Sequence, residues 1–395
     1  MNFLKLRYNF EEKQYNYMAY EEKPLVSVVT LNFDGIRFLK DLFDSLRRCT
    51  YPNLEVIMVD NCSQDESVNF VKQNYPEVKI VENSENLMYT GGNNEGLKHA
   101  KGKYICLVNN DVDVDPGFID PIVNAFESNA RIGAAQPKIL AMQERDRLEY
   151  AGACGGYIDW FGYPFLRGRL FFTTEKDEGQ YDKPAELFWG SGACLFLRKD
   201  TLNEVGHFDE DFVLHQEEID LCWRIRLAGW SIVSIPQSQI WHHVGGTLDK
   251  DSPRKTYWNF RNNLFLLFKN LSLGNLLIRL PLRVPLDFLA LGIELFKGHF
   301  ANARAVARAY LWLMTHFTLL RDKRRITQKQ RKVPDKGIFK CVYPGSVVFE
   351  YFLLGRRKFS DLLFLKPKLG QIKEMSFEHS IINDPPIREV VKNRH

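Results

Sequence analysis

Asp111 and Asp113 stand one residue apart, directly after the apolar stretch Tyr104–Val108, which is predicted to be a buried strand. Carboxylates at a strand end bind hard divalent cations such as Mg²⁺ or Mn²⁺, and these ions commonly keep coordination positions for substrate phosphates. Acidic residues that alternate in this way are more often part of a solvated turn. The pair by itself therefore indicates a metal site only weakly.

Glu217 and Glu218 open a predicted helix that runs to about residue 228. A carboxylate at the mouth of a cleft can take a proton from an attacking hydroxyl group and so act as a general base. An acid in the first turn of a helix is more commonly a surface residue that interacts favourably with the helix dipole. The position alone does not decide between these interpretations.

His242 and His243 follow a short predicted strand at 232–235 and precede the pair Gly245 and Gly246. One imidazole in this position can ligate a metal, although a histidine pair after a strand is more often structural.

A second glycine pair, Gly91 and Gly92, opens a predicted helix over 91–100 and is followed by Asn93. Free N–H groups at a helix start can bind a diphosphate or a sugar hydroxyl, and an ordinary turn is the alternative. Trp160, Phe161, Tyr163 and the stretch Trp189–Gly192 offer surfaces on which a sugar ring can stack, and core packing explains them equally well.

Alternating strands and helices must position these residues. Short β-branched runs at 26–31, 54–59, 78–81 and 104–108 are separated by helical patterns, which predicts a parallel sheet with right-handed crossovers. Ser63 and Glu66 have the spacing of a capping box for the helix that ends near 74. Ligands of such sheets bind outside the carboxyl ends of the strands, where this sequence places its acidic and amide residues.

The regular alternation stops after Ile139, and a glycine- and aromatic-rich segment follows over 152–168. Residues 253–332 read as helical, with Pro281 and Pro285 as interruptions. Between Asp251 and Asp335 there are sixteen Lys and Arg against five Asp and Glu, a local net charge of +11 in a chain whose total is +4. A segment of this kind suits an anionic surface.

Composition and missing motifs exclude several classes of protein. The chain has 395 residues, 45% hydrophobic and 26% charged, which is typical of a folded globular protein with more than one domain. Seven scattered cysteines without a C-x-x-C pair indicate a reducing compartment. The N-terminus is too polar for a signal peptide and no apolar window is long enough to cross a membrane, so a cytoplasmic location is expected. Dinucleotide-binding, P-loop and G-x-S-x-G motifs are absent.

Taken in order, these residues resemble the family 2 glycosyltransferases, in particular the non-processive, rhamnosyltransferase-like branch. The resemblance spans about residues 24–247. The matching stretches are Val28–Phe33, Val59–Asp65, Thr90–Asn94, Leu107–Asp113, Gly192–Arg198, Glu217–Arg224 and His242–Gly246. Each stretch is weak alone, but the colinear set is specific.

The resemblance implies a GT-A fold, an α/β architecture with a mostly parallel sheet flanked by helices and followed here by a basic helical C-terminal region. It implies a nucleotide-diphospho-sugar donor carrying UDP or dTDP, and a Mn²⁺ or Mg²⁺ ion. It further implies transfer with inversion to a hydroxyl group of a glycan or lipid-linked acceptor in surface polysaccharide synthesis. The Q-x-x-R-W sequence of processive synthases is missing, so one sugar per encounter is expected.

Position by position, the resemblance implies roles for individual residues. The donor-binding set is Thr30, Asn32, Asp60, Gly91, Gly92, Asn93 and Asp111, with Asp60 reading the base. The metal-binding set is Asp111, Asp113 as principal ligand and His242, with His243 as the alternative if the alignment is one residue out. Glu218 is the expected catalytic base, and Trp189, Gly190 and Glu217 are expected to contact the acceptor.

We expect four parts: an N-terminal extension over 1–23, the glycosyltransferase domain over 24–250, a basic amphipathic helical region over 251–335, and a tail over 336–395 without a recognisable motif. The basic region predicts an interfacial helix on the anionic inner leaflet; a solvated helix packed on the catalytic domain is the alternative. The residues concerned are Trp312, Phe317, Leu320, Arg321, Lys323, Arg324 and Arg325. Nucleic acid is not an expected partner, because no binding module is recognisable.

Two other functions remain alternatives. A sugar-phosphate nucleotidyltransferase shares the parallel sheet and the acidic site, but needs a glycine-rich basic loop after the first strand, which Asn32–Ile36 does not provide. A non-catalytic module that binds glycans or nucleotides would not need Asp111, Asp113, Glu218 and His242 together.

Overall fold

The computed structural model describes residues 23–243 and 252–363. Residues 1–22 of the expected N-terminal extension, the Val244–Gly246 end of the histidine motif and residues 364–395 of the expected tail lie outside the described residues.

Strands and helices alternate in the first part of the chain. They are β1 Val26–Asn32, α1 Ile36–Arg47, β2 Leu54–Asp60, α2 Ser67–Asn74, β3 Lys79–Glu82, α3 Met88–His99, β4 Tyr104–Asn109, β5 Val112–Val114, α4 Ile119–Ser128 and β6 Ile132–Ala141. The middle part contains β7 Gly156–Asp159, β8 Pro164–Leu166, β9 Arg169–Leu170, β10 Thr173–Thr174, β11 Ala185–Leu187, β12 Cys194–Arg198, α5 Lys199–Val205, a 3₁₀ turn at Glu210–Phe212, α6 Glu217–Leu227 and β13 Ser231–His242.

The last part is mainly helical. It contains α7 Pro253–Asn270, α8 Leu273–Phe296, α9 Phe300–Thr315, α10 Phe317–Gln330, α11 Asp335–Ile338, a 3₁₀ turn at Phe339–Cys341, β14 Val342–Tyr343, α12 Val347–Phe352 and a 3₁₀ turn at Phe359–Asp361. Among the described residues, no helix is both long and apolar enough to cross a membrane.

A nine-stranded sheet with the order β11-β13-β6-β12-β4-β1-β2-β3 forms the centre, and β5 pairs with β13 outside this path. β1 lies parallel to β2 and to β4, as the alternating pattern predicts. β12 runs antiparallel between β4 and β6. Because β4, β1 and β2 are parallel, their carboxyl ends meet at one edge, which carries Asn109, Asn32 and Asp60.

A smaller sheet with the order β10-β9-β8-β7-β14 is built from the glycine- and aromatic-rich segment and from β14 of the C-terminal part. Gly156 of β7 shows why glycine is needed here: a Cβ atom at this position would lie 1.9 Å from the indole of Trp189. The backbone of β7 therefore passes directly against that ring. The C-terminal part up to Leu363 packs on this sheet rather than standing apart.

Two local predictions are wrong. The capping box at Ser63 and Glu66 does not form, because α2 begins at Ser67 and has no side-chain cap. The Ser63 hydroxyl instead donates to Asp60 at 2.6 Å, at the end of β2. Pro281 and Pro285 do not interrupt a helix, since α8 runs through both positions.

Tertiary contacts on one side of α8 hold it together across its prolines. Arg279 and Arg283 donate to the carbonyl oxygens of Trp160 and Phe161 at 2.9 and 3.0 Å. Asp287 accepts a hydrogen bond from the Tyr163 hydroxyl at 2.7 Å, and Arg283 lies 3.1 Å from the same carboxylate. The buried side of α8 is thus polar and ionic, which is the reverse of the usual arrangement in a surface helix.

One side of the interfacial helix expected at Phe317–Arg325 is packed on the rest of the protein. Leu320 of α10 is fully buried. Lys323 forms ion pairs with Asp209 and Asp211, both at 2.6 Å. Arg324 donates to two carbonyl oxygens at the end of α7 at 2.6 Å. The alternative interpretation, a basic helix packed on the catalytic domain, describes α10 correctly.

Candidate functional site

A cleft of about 490 Å³ opens at the edge of the large sheet where β1 and β4 end. Its walls contain three groups of side chains that are distant in sequence: Asp111 after β4, Glu217 and Glu218 at the start of α6, and His242 at the end of β13. The structure thus brings together four of the residues that the sequence assigns to chemistry. The cleft is the candidate active site.

Strand pairing places Asp111 beside His242. β5 runs antiparallel to the end of β13, with Val112 opposite His242, and the backbone N–H of His243 donates to the Asp111 carbonyl at 3.0 Å. Asp111 Oδ1 then lies 3.1 Å from Nε2 of His242, and both side chains are nearly buried. His243, the alternative ligand, instead lies with its ring against Phe38.

The Asp111–His242 contact is suited to a cation. Asp111 Oδ1 is buried and has no hydrogen-bond partner within the described ranges. The Asp111 oxygen and the His242 nitrogen lie 3.1 Å apart, an ion-pair distance while the ring is protonated, and once the ring loses its proton both atoms offer a lone pair close to one another. Mn²⁺ and Mg²⁺ accept such oxygen and nitrogen donors. The two residues fit a divalent ion and leave its other positions for water and phosphate oxygens.

Glu149 supports His242 from the opposite side and was not found from the sequence. Its Oε1 lies 3.3 Å from Nδ1 of His242. Its Oε2 accepts hydrogen bonds from the N–H groups of Ala151 and Gly152 at 2.7 and 2.9 Å, which fix the carboxylate. A carboxylate on the second nitrogen orients a metal-binding imidazole. Glu149 stands in an irregular segment without a motif, so no sequence signal marked it.

Burial lowers the pKa of His242, but the carboxylates of Asp111 and Glu149 outweigh that effect and raise the pKa to about 10. Without a cation the imidazole is therefore protonated at neutral pH. Binding of a divalent ion at Nε2 would displace that proton.

Asp113 is not part of this group. It lies in β5, where alternate side chains point to opposite faces, and its carboxylate pairs with Arg48 at 3.3 Å and with Arg145 at 3.0 Å. A carboxylate held by two guanidinium groups has little charge left for a cation. Within the described parts of the chain no cluster of three or more His, Cys, Asp or Glu residues is arranged as a metal site, at Asp113 or at Asp111 and His242. The role of Asp113 as principal ligand stays a prediction.

Glu217 and Glu218 follow a strained segment. Val213, His215 and Gln216 have φ angles of 63°, 69° and 65°, in the left-handed region that non-glycine residues rarely adopt. Each such residue costs on the order of 1–3 kcal/mol and persists only where its surroundings fix it. Strain of this kind is common where a side chain must be held in one position for function.

α7 holds this segment in place. The Nδ2 atom of Asn262 lies within 2.7–2.9 Å of three of its carbonyl oxygens. Gln216 donates to the Asn259 carbonyl at 2.9 Å and accepts from Asn263 at 2.8 Å. The polar side of α7 thus fixes the start of α6.

Burial raises the pKa of Glu218 to about 7, although backbone N–H groups at the start of α6 act in the opposite direction. Burial and the charge of Glu218 also raise the pKa of Glu217, well above its ordinary value. One oxygen of each carboxyl is buried and makes no hydrogen bond to any described residue. A carboxyl group with a pKa near 7 can accept and release a proton at neutral pH.

The expected base-reading residues form one network beside the cleft. Asn32 donates to Asp60 at 3.1 Å and accepts from Asn110 at 2.9 Å. Ser63 donates to both oxygens of Asp60 through its hydroxyl and its backbone N–H. Asn110 lines the cleft, and Thr30 lies fully buried within β1. The structure brings Asn32 and Asp60 together as expected, and Thr30 supports them from the core.

The glycine pair serves packing in this structure. α3 begins at Met88, so Gly91 and Gly92 lie inside the helix and their N–H groups are not its free donors. A Cβ atom on Gly92 would lie 2.4 Å from a methyl group of Leu31. Asn93 is also buried and donates to the Tyr89 carbonyl at 2.9 Å. In this structure the three residues are packed inside α3, and their role in donor binding stays a prediction.

Trp189 and Gly190 lie below the cleft rather than in its wall. The Trp189 indole N–H donates to the Tyr157 carbonyl at 2.9 Å, and the side chain is 5% exposed. Core packing, the alternative interpretation, describes both residues. The next residues, Ser191 and Gly192, do line the cleft, and Gly192 accepts a hydrogen bond from the Tyr89 hydroxyl at 3.0 Å.

Comparison with known proteins agrees with this geometry. Residues 27–205 match the sequence model of glycosyl transferase family 2. The chain is 26% identical over 245 residues to an N-acetylglucosaminyl-diphospho-decaprenol L-rhamnosyltransferase of Mycobacterium tuberculosis, which covers 58% of this chain and 78% of that protein. It is 27% identical over 247 residues to the O-antigen biosynthesis protein RfbC of Myxococcus xanthus, which covers 60% of this chain and 18% of that protein.

In structure, the chain is similar to GalNAc-T7 crystallised with UDP, GalNAc and Mn²⁺, with a TM-score of 0.51 and 18% sequence identity. The similarity covers 63% of this chain and 48% of that chain, so this chain spans about half the length of GalNAc-T7. At this identity the comparison establishes the fold alone. That fold is the GT-A fold expected from the sequence.

The geometry predicts that the variants Asp111→Asn and Asp113→Asn differ in how strongly Mn²⁺ stabilises them. Mn²⁺ together with UDP or dTDP, the nucleotides expected from the sequence, should raise the melting temperature of the wild type. A ligand present at about 100 times its Kd stabilises by about 2.7 kcal/mol. Asp111→Asn should lose the Mn²⁺-dependent part of the shift, and Asp113→Asn should keep it. A loss in Asp113→Asn with retention in Asp111→Asn would restore Asp113 as the principal ligand.

Proposed function

Residues 27–205 of this chain form a family 2 glycosyltransferase domain with a GT-A fold, and we propose that the protein transfers one sugar, with inversion, from a nucleotide-diphospho-sugar to an acceptor hydroxyl group. The observation that carries the proposal is the arrangement of the cleft. One wall offers the paired donors of Asp111 and His242, and the same cleft contains the carboxyl groups of Glu217 and Glu218.

Asp111 and His242 would hold a Mn²⁺ or Mg²⁺ ion, with Glu149 fixing the imidazole. When bound, such an ion neutralises the negative charge that develops on the departing diphosphate. Asn32, Asp60 and Asn110 form the wall that would receive the base and ribose of a UDP- or dTDP-linked donor.

Glu218 is the proposed base. It stands at the start of α6, and the residues just before α6 are held in place by α7. Its raised pKa allows it to take up the proton of the acceptor hydroxyl group. Glu217 lies next to it in the cleft wall and is proposed to contact the acceptor. Removing the proton as the new bond forms is typically worth roughly 10²–10⁴-fold in rate.

A lipid-linked acceptor is proposed because α8 presents an apolar face to the outside. Its charged residues Arg279, Arg283 and Asp287 are buried together with Leu276, whereas many of its large apolar side chains are exposed. The large exposed side chains are Leu273, Leu277, Ile278, Leu282, Phe288, Leu289, Ile293, Leu295 and Phe296. A contiguous apolar face of this size marks a contact with a partner or a membrane.

We propose that this apolar face of α8 binds the cytoplasmic surface of a membrane. α8 has the composition of an interfacial helix, and the region it belongs to carries a net charge of +11, which complements anionic lipid. The relative from M. tuberculosis is named for an acceptor that carries decaprenol, a lipid. A transferase with such an acceptor must work at the membrane surface.

Replacing Glu218 by Gln removes the base while keeping the shape of the side chain. We expect this variant to lose about 10²–10⁴-fold in donor turnover and to retain the thermal shift with nucleotide and Mn²⁺. In the wild type the rate should rise with pH through about 7, because Glu218 is protonated below its raised pKa and free to act as a base above it. Turnover in Glu218→Gln near that of the wild type would refute the assignment.

Membrane binding is tested by co-sedimentation with phosphatidylglycerol vesicles at low salt. The wild type should sediment, and the double variant Leu282→Glu, Leu289→Glu should bind at least about tenfold more weakly, because each buried leucine contributes about 1.5–3 kcal/mol. Arg325→Gln, on exposed α10, is the matched control and should bind within a few-fold of the wild type. Equal sedimentation of the leucine variant and the wild type would exclude α8 as the membrane-binding face.

A further inference from the structure

A second groove, of about 660 Å³, lies between α7 and α9, away from the catalytic residues. We propose that it binds the diphosphate and the first isoprenyl units of an isoprenoid-diphosphate-linked acceptor. The inference rests on the proposed function, because it identifies the class of lipid carrier and the place where that carrier is held. The residues that carry it are Arg254, Arg304, Arg308, Tyr257, Trp258 and Phe300.

The groove has unused positive charge. Arg254, Arg304 and Arg308 are all exposed, and none pairs with a carboxylate among the described residues. Other cations of the same region are used internally; Lys269, for example, pairs with Asp209 and Asp220 at 2.6 and 2.8 Å. Arginine guanidinium groups bind phosphate oxygens with paired hydrogen bonds. Three of them around one groove suit a ligand with several negative charges.

The groove also has apolar walls. Tyr257 and Trp258 lie edge to face with ring centroids 5.2 Å apart, and the Arg308 guanidinium lies 5.2 Å from the Tyr257 ring. Phe300 is 68% exposed and lines the groove at the start of α9. A free inorganic anion would make no contact with such walls that could add to its affinity. A ligand that joins a diphosphate to a hydrocarbon chain uses both parts.

The position of the groove connects the proposed membrane face with the catalytic cleft. Phe296, at the end of α8, is 95% exposed and stands only a short turn before Phe300, so the apolar face leads into the groove. On the other side, Arg254 lines the groove and its neighbour Lys255 lines the cleft.

The same helix connects the two sites through its polar side, because Asn259 and Asn263 of α7 hold Gln216, the residue before Glu217. The proposed lipid would lie with its chain along α8 and its diphosphate between α7 and α9, on the helix whose Lys255 lines the cleft.

The probe is farnesyl diphosphate, titrated into the protein in the presence of EDTA. EDTA removes divalent cations, so that a metal-dependent diphosphate site at Asp111 and His242 does not contribute to binding. Binding can be followed by calorimetry or by the fluorescence of the protein. The wild type should bind farnesyl diphosphate more tightly than farnesol or inorganic diphosphate. The double variant Arg304→Gln, Arg308→Gln should bind it about tenfold or more weakly, because two charge-assisted contacts are lost. Arg325→Gln is the control and should bind like the wild type.

A second variant, Phe300→Ser, tests the apolar wall. It should weaken the binding of farnesyl diphosphate while leaving the weaker binding of inorganic diphosphate unchanged. Equal binding of farnesyl diphosphate by the wild type and the arginine variant would overturn the proposal. Equal affinity for inorganic diphosphate and farnesyl diphosphate would show that the groove binds anions in general. Displacement of farnesyl diphosphate by phosphatidylglycerol vesicles that lack isoprenoid would show that it binds lipid headgroups. Either outcome would also overturn the proposal.

A failure of the farnesyl diphosphate titration can be distinguished from a failure of the proposed transferase function. The titration contains no nucleotide and no metal, so it can fail while nucleotide and Mn²⁺ still stabilise the protein. If the nucleotide shift and donor turnover are absent while farnesyl diphosphate binds, the proposed donor chemistry fails and the lipid site stands.

Discussion

The pairing of β5 with the end of β13 is the constraint on which the site depends. Val112 stands opposite His242 in this ladder, and the register places Asp111 3.1 Å from the imidazole. A shift of one residue would turn the other face of β5 toward β13 and would offer Asp113, which is already held by Arg48 and Arg145. The position of Glu149 behind His242 fixes the ring in the same orientation.

The C-terminal helices complete the catalytic side rather than forming an independent appendage. The segment before α6 contains three residues with positive φ, and the Asn262 side-chain amide of α7 lies within hydrogen-bond distance of the carbonyl oxygens of Phe212, Leu214 and His215 in that segment. A buried ionic group joins α6 and α7 again through Asp220, Lys269 and Arg224. The proposed membrane face, the proposed lipid groove and the position of Glu218 therefore all involve α7 and the helices packed on it.

The sequence could predict the first four strands, the crossover helices and the polar edge of the sheet. Runs of β-branched residues, and apolar residues at helical spacing, reflect which side of each element is buried. The same signal placed Glu218 at a helix start. The sequence could not show contacts between residues that are distant along the chain. Gly92 packs against Leu31 of β1. Asp113 forms ion pairs with Arg48 and Arg145, and Arg279 and Arg283 anchor α8 to Trp160 and Phe161 across its prolines.

We propose that Asp111 and His242 hold one cation. Electron spin-echo spectroscopy of Mn²⁺ bound with UDP to protein containing ¹⁵N-labelled histidine tests it directly, because it detects a nitrogen nucleus ligated to the metal. The account predicts a histidine ¹⁵N signal in the wild type that disappears in His242→Ala and persists in His243→Ala. Bound Mn²⁺ without any histidine signal, or a signal that survives in His242→Ala, would contradict the account.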